Sequence, residues 1–140
     1  MQVLYTAEAL ASGEGRTGTA RTTDGKLDVV LAPPKEMGGD GAGTNPEQLF
    51  AAGYAACFHS ALRLVGKKAG ANIADSAVGA QVSIGPNDNG GFGLAVTLEI
   101  TLPHLSREEA QALAEQAHQV CPYSNATRGN IEVDLQIAED

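Results

Sequence analysis

One segment constrains this chain more than any other, the stretch from Asn45 to about Gly66. Asn45 can cap a helix, Pro46 suits the first helical position, and Glu47 and Gln48 fill the first turn. From Leu49 to Phe58 the residues are apolar on every side of the helix so begun. A helix of that kind is buried all round rather than laid on a surface. Something must cover both of its sides, a sheet on one and a second helix or a second subunit on the other.

The other elements are arranged to do some of this. Residues 2 to 9 alternate as a strand does, and Gly13, Gly15 and Gly18 interrupt the next stretch, with Arg16 among them. The turn Thr22-Thr23-Asp24-Gly25 leads into a strand from Lys26 to Leu31, which Pro33-Pro34 ends. A glycine-rich loop, Met37 to Gly43, precedes the long helix. Ser76 to Ile84 and Gly93 to Leu102 read as strands around the turn from Pro86 to Gly91. Ser106 to Glu109 is a capping box that opens a second helix through about Val120. Pro122 disfavours helical geometry at Cys121, so that cysteine stands at a helix boundary. Ile131 to Ile137 alternates strictly and reads as a half-buried last strand.

At 140 residues the chain suits a single domain, 1–140. Aromatic residues are only 4% and there are 17 glycines, whose backbone entropy opposes folding, so a partner subunit would help. The net charge of −8, with no basic block, repels phosphate backbones and argues against nucleic acid. The N-terminus lacks a charged segment followed by a long apolar one, so no signal peptide is expected. No run approaches the ~20 apolar residues of a membrane span. The expected location is the cytoplasm, with no membrane partner.

That location bears on Cys57 and Cys121, because two cysteines in a reducing compartment are rarely a structural staple. An inert buried thiol is the default reading of either one. Cys57 lies mid-helix with Gly53, Tyr54, Ser60 and Ala61 one turn away. Three of the four are small, which leaves space for a ligand or a second sulfur, or equally for close helix packing. A buried apolar thiol reacts slowly, so a reactive Cys57 needs a cation nearby. His59 points away from it around the helix and reads as a satisfied core or rim histidine, while His118, three before Cys121, can touch that residue, although a solvent-facing helix position is the commoner case. Metal binding competes for the same residues. However, the sequence has no Cys-x-x-Cys and no His-Glu-x-x-His, and no short ligand pair except His118 with Cys121, so no metal is expected.

The residues from Gly43 to Phe58, which include Asn45-Pro46-Glu47-Gln48-Leu49-Phe50 and Cys57, closely resemble the first active-site segment of the organic hydroperoxide resistance (Ohr) proteins. Val120 to Asn130, with Cys121-Pro122-Tyr123-Ser124-Asn125-Ala126, resembles their second. Tyr5-Thr6-Ala7 and Gly15-Arg16 are similar to the family's opening. The wider superfamily of osmotically induced protein C (OsmC) shares both cysteines, and the Cys-Pro-Tyr-Ser-Asn-Ala form resembles the Ohr branch.

The resemblance implies an α/β fold of the α+β type. In that OsmC-like fold an intertwined homodimer has long buried central helices covered by antiparallel sheets from both subunits. It implies a thiol peroxidase in which Cys57 is peroxidatic and Cys121 resolving, with Arg16 and Glu47 completing the site. It implies organic over inorganic hydroperoxides as substrates, no cofactor, and reduction by a lipoyl-type dithiol, carried for example on a lipoylated protein. In that setting Arg16 supplies the cation Cys57 lacks, and Glu47 orients it through a charge-assisted bond. Phe50 and Tyr54 are candidates to bind the alkyl group, although plain core packing would also explain them. Two other readings remain beside this one. One is an OsmC-type peroxidase of different peroxide or reductant preference; the other is a non-catalytic dimer binding a small ligand or metal.

On one straight helix Glu47 and Cys57 would stand roughly 15 Å apart at ~1.5 Å per residue. A single-chain site would need an arginine bridging that gap or a helix kinked near Gly53; the simpler expectation is a site shared between subunits, with Cys57 and Cys121 from one chain and Arg16 and Glu47 from its partner.

Overall fold

The computed structural model describes residues 1–139. The chain divides into two compact units, Met1–Leu49 and Phe50–Asp140.

The first unit is an antiparallel meander of β1 (Ala9–Ser12), β2 (Thr19–Thr22) and β3 (Asp28–Val30), in the order β1-β2-β3. The glycines between β1 and β2 build the connection rather than interrupting it. A single 3₁₀ turn, Gly15–Thr17, carries Arg16, and a Cβ at Gly18 would run into the carbonyl of Ser12. The meander makes β2 a strand, which the sequence pattern does not reveal. The turn after β2 is as expected, with Asp24 Oδ1 accepting from the Lys26 N–H at 3.0 Å and from the Thr22 hydroxyl at 2.7 Å.

Residues 2 to 8 are not a strand, contrary to their alternation, since ladder pairing begins only at Ala9. A strand needs a neighbouring edge to pair its backbone groups, and among the described residues this segment meets one only at its end, where the Glu8 carbonyl accepts the Thr23 N–H at 3.0 Å. Leu4 is 93% and Tyr5 80% exposed, and Leu10 and Val30 of the meander are exposed as well.

The second unit is built on α1 (Pro46–Lys68), whose first turn lies in the preceding unit. The Asn45 side chain accepts the Gln48 N–H at 2.8 Å, as the cap reading requires. A hairpin of β4 (Ala77–Pro86) and β5 (Phe92–Thr101) comes next, its turn held by Asn87 Oδ1 accepting the N–H groups of Asn89 and Gly91 at 3.0 Å. Beyond it lie α2 (Arg107–Val120), the short α3 (Pro122–Thr127) and β6 (Val133–Ile137). The capping box is in place, with the Glu109 N–H on Ser106 Oγ at 3.1 Å and the Ser106 N–H on Glu109 Oε1 at 3.2 Å.

The sheet order is β4-β5-β6, antiparallel at the hairpin but parallel between β5 and β6. The purely antiparallel expectation fails at β6. The chain reaches β6 through two helices, a crossover that returns it in the direction of β5.

Three periodicities meet in the core of this unit. Val96, Leu98 and Ile100 alternate along β5; Ala110, Leu113, Ala114 and Ala117 form one stripe of α2; Tyr54, Phe58, Ala61, Leu62 and Val65 form one stripe of α1. Within the single chain α1 is buried on that stripe only. Ala52, Ala56, Ser60 and Arg63 are exposed, so the all-round burial expected of its apolar sequence is not reached. By length and composition α1 is also long and apolar enough to cross a membrane. It contains no uninterrupted run of that length, and its buried stripe belongs to the core.

Candidate functional site

Cys57 sits half-buried in the middle of α1, one turn beyond the buried Tyr54. Cys121 sits in the elbow between α2 and α3, fully buried. Its N–H still closes the last turn of α2 on the Ala117 carbonyl at 2.8 Å, and its own carbonyl accepts the Asn125 N–H at 2.9 Å. Between these bonds its backbone is extended (φ −60°, ψ 124°), as the proline after it demands.

The fold brings the two thiols together. Cys121 Sγ donates to Cys57 Sγ across 3.4 Å, and both cysteines are free. A disulfide is about 2.05 Å long, so closure needs a further approach of roughly 1.4 Å. Burial pushes the Cys57 thiol above its ordinary range; the backbone N–H of Tyr123 pulls it down, and the neighbouring Cys121 pushes it up again. Left to these groups, Cys57 holds its proton at neutral pH.

Arg16 and Glu47, both in the first unit, also meet. Arg16 Nη1 donates to Glu47 Oε2 at 2.9 Å and Nη2 to Oε1 at 2.8 Å, a bidentate clasp. The Arg16 bond holds the Glu47 carboxyl below its usual range, although burial of the carboxylate opposes the shift. The same bond raises the guanidinium's own value. Glu47 lies in the first turn of α1, where unpaired N–H groups favour a negative charge.

Three aromatic rings gather near Cys57. Phe50 stacks on Tyr123 with centroids 6.0 Å apart, and Tyr54 meets both rings at 5.7 Å. Gly53 makes room for them, since a Cβ there would stand 3.3 Å from the Tyr123 ring. Phe50, Tyr123, Ala126 and Thr127 line a mainly apolar recess of about 330 Å³. Tyr54 lies beneath the surface, its hydroxyl 2.8 Å from Ser124 Oγ and 3.1 Å from Thr127 Oγ1. Sequence reasoning misses Tyr123. Its one signal is its place two residues after Cys121, where the proline turns the chain back toward α1.

His59 is satisfied as expected, its Nε2 at 2.9 Å from Ser76 Oγ. His118 is half-buried rather than solvent-facing, and its Nδ1 bonds Ser124 Oγ at 2.8 Å. The helical spacing between His118 and Cys121 is broken where Cys121 turns extended. Burial and the nearby Arg128 hold His118 below the usual histidine range. Among the described residues no three of His, Cys, Asp and Glu converge as a metal-ion site.

The family model described as "OsmC-like protein" matches residues 38–136. An organic hydroperoxide resistance protein of Xanthomonas axonopodis pv. citri is 51% identical over 139 residues, covering 98% of this chain and 96% of that protein. The organic hydroperoxide resistance protein OhrB of Bacillus subtilis is 47% identical, covering 96% and 98%. A crystal structure of an organic hydroperoxide resistance protein from Elizabethkingia anophelis superposes with a TM-score of 0.94 at 52% identity, covering all of both chains. With both cysteine segments in place and such relatives along its whole length, the chain belongs to the organic hydroperoxide resistance proteins of the OsmC-like family.

Proposed function

We propose that this protein is a cysteine-based peroxidase that reduces organic hydroperoxides, alkyl and fatty-acid ones, to alcohols in defence against oxidative stress. One observation carries the reading: two free thiols, 64 residues apart in sequence, lie 3.4 Å apart. The names of the relatives point to the same substrates.

The Cys57 thiolate attacks one peroxide oxygen, the O–O bond breaks, and the alcohol leaves, with Cys57 oxidised to a sulfenic acid. Cys121 then displaces hydroxide from that sulfur, which departs as water, and a disulfide remains. A lipoyl-type dithiol, supplied on a lipoylated protein in the cytoplasm, restores both thiols by exchange. This cycle uses no metal or prosthetic group.

A thiol held protonated by burial needs a cation to ionise, and Arg16 is assigned that role. With one edge clasped by Glu47, its guanidinium keeps other donors for a thiolate or a peroxide oxygen. The protein acts as a homodimer in which the Arg16–Glu47 pair serves the cysteines of the partner subunit. Support comes from the bare apolar residues of segment 2 to 8 and from the exposed side of α1, both of which a second chain would cover. The recess beside Phe50 and Tyr123 receives the alkyl part of the substrate, with Tyr54 supporting it from below.

The test is consumption of cumene hydroperoxide and of hydrogen peroxide, each with a dithiol such as dihydrolipoamide. Faster turnover of the organic peroxide is expected. Equal or reversed preference would leave a peroxidase of another specificity, and no consumption of either would end the reading.

A further inference from the structure

α3 is only six residues long, too short to hold itself as a helix, so its position depends on what ties it down. Its buried side chains are not apolar. They are Ser124, fully buried, and Thr127, 7% exposed. Ser124 Oγ is the node of a hydrogen-bond network, 2.8 Å from the Tyr54 hydroxyl on α1 and 2.8 Å from His118 Nδ1 on α2. Thr127 Oγ1 adds a second bond to Tyr54 at 3.1 Å and donates to the Ser124 carbonyl at 3.3 Å. Arg128, just past α3, donates to the His118 carbonyl at 2.8 Å.

These ties have a plain relation to the two sulfurs. Tyr54 stands three residues before Cys57 on α1, and Ser124 three residues after Cys121. The hydroxyl bond and the sulfur contact therefore join the same two segments at points one helical turn apart. A small-residue or apolar seam would let α3 slide, whereas a directional bond sets one separation.

We propose that Ser124 is a positioning residue for disulfide closure: through Tyr54 and His118 it holds the Cys121 elbow against Cys57. The inference rests on the peroxidase reading and concerns only its second step. There the Cys121 sulfur, losing its proton, attacks the Cys57 sulfenic sulfur. The S–S bond forms as the S–O bond breaks, and hydroxide takes the proton to leave as water. Cys121 is oxidised and the Cys57 sulfur reduced by the same electron pair. A sulfenic acid that waits too long meets a second peroxide and becomes a sulfinic acid. Correct placement of Cys121 decides between the two fates.

The experiment tracks both fates by mass spectrometry after graded additions of cumene hydroperoxide to the reduced protein, wild type against Ser124→Ala. First oxidation of Cys57 should keep its rate within about twofold. Disulfide closure should slow roughly tenfold, as small misplacements of reacting groups do. The sulfinic fraction at each peroxide dose should rise with it. If Ser124→Ala does not fold, His118→Ala, which removes one of the two bonds to Ser124, should shift the partition in the same direction by less. An unchanged partition in the folded variant overturns the positioning role while leaving the peroxidase reading intact. A wild-type protein whose Cys57 is not oxidised at all overturns both.

Discussion

The sulfur of Cys121 rests 3.4 Å from that of Cys57, one held in an elbow between two helices and the other in the middle of a long helix. The contact is nonbonded, and a small shift of either segment would let the two sulfurs join once a peroxide had oxidised one of them. The two residues differ in exposure: Cys57 is half-buried, whereas Cys121 is fully buried and has Cys57 as its sulfur neighbour.

Cys57→Ser should reduce peroxide turnover to background. Cys121→Ser should still consume one equivalent and leave a sulfenic acid at position 57 that dimedone traps and excess peroxide over-oxidises. Unmodified Cys57 in the Cys121→Ser protein would reverse the assigned order.

Arg16→Ala should cost activity far more than stability. The ion pair with Glu47 involves a partly exposed arginine, so its loss should change unfolding free energy by about 1 kcal/mol or less. Removing the one cation assigned to the thiolate should lower kcat/KM by about a hundredfold or more. Arg16→Lys keeps the charge and loses the fork geometry, so it should recover only part of the activity. Urea unfolding and steady-state kinetics on the same samples would compare the two effects.

Subunit sharing can be read by complementation. Inactive Cys57→Ser and inactive Arg16→Ala proteins, mixed under conditions where subunit exchange is verified, should form heterodimers with one intact site and regain activity. Persistent inactivity after verified exchange would mean that Arg16 serves its own chain.

His118 should make stability depend on pH. Its value in the folded protein lies below the ordinary ~6.5, because burial and Arg128 disfavour the cation. The unfolded chain thus binds the proton more readily, and stability should fall as pH drops below ~6.5 toward the folded value. His118→Gln should flatten this slope below about pH 6.5 in urea titrations. An identical slope in the variant would show that other groups carry the dependence.

Phe58 is fully buried where α1 packs on the core of the second unit. Phe58→Ala should destabilise by about 3–5 kcal/mol through lost burial and the cavity left behind. Thermal unfolding of the reduced protein measures it directly.

Much of this protein is written in short stretches that act on their own neighbours. Asn45 and Pro46 start α1, and Ser106 and Glu109 start α2. Pro122 alone is enough to pull Cys121 out of helical geometry. Each of these effects spans a turn or less, so composition and spacing determine it. Tertiary structure decided what depends on distant partners. It made the glycines around Arg16 a connection between strands, turned β6 parallel, withheld strand pairing from residues 2 to 8, and aimed His118 at Ser124. The meeting of Cys57 with Cys121 belongs to the same class. No local rule brings residues 64 apart to 3.4 Å; the packing of α1 and α2 in one core does, with the hydroxyls of Tyr54 and Ser124 tying the elbow down beside it.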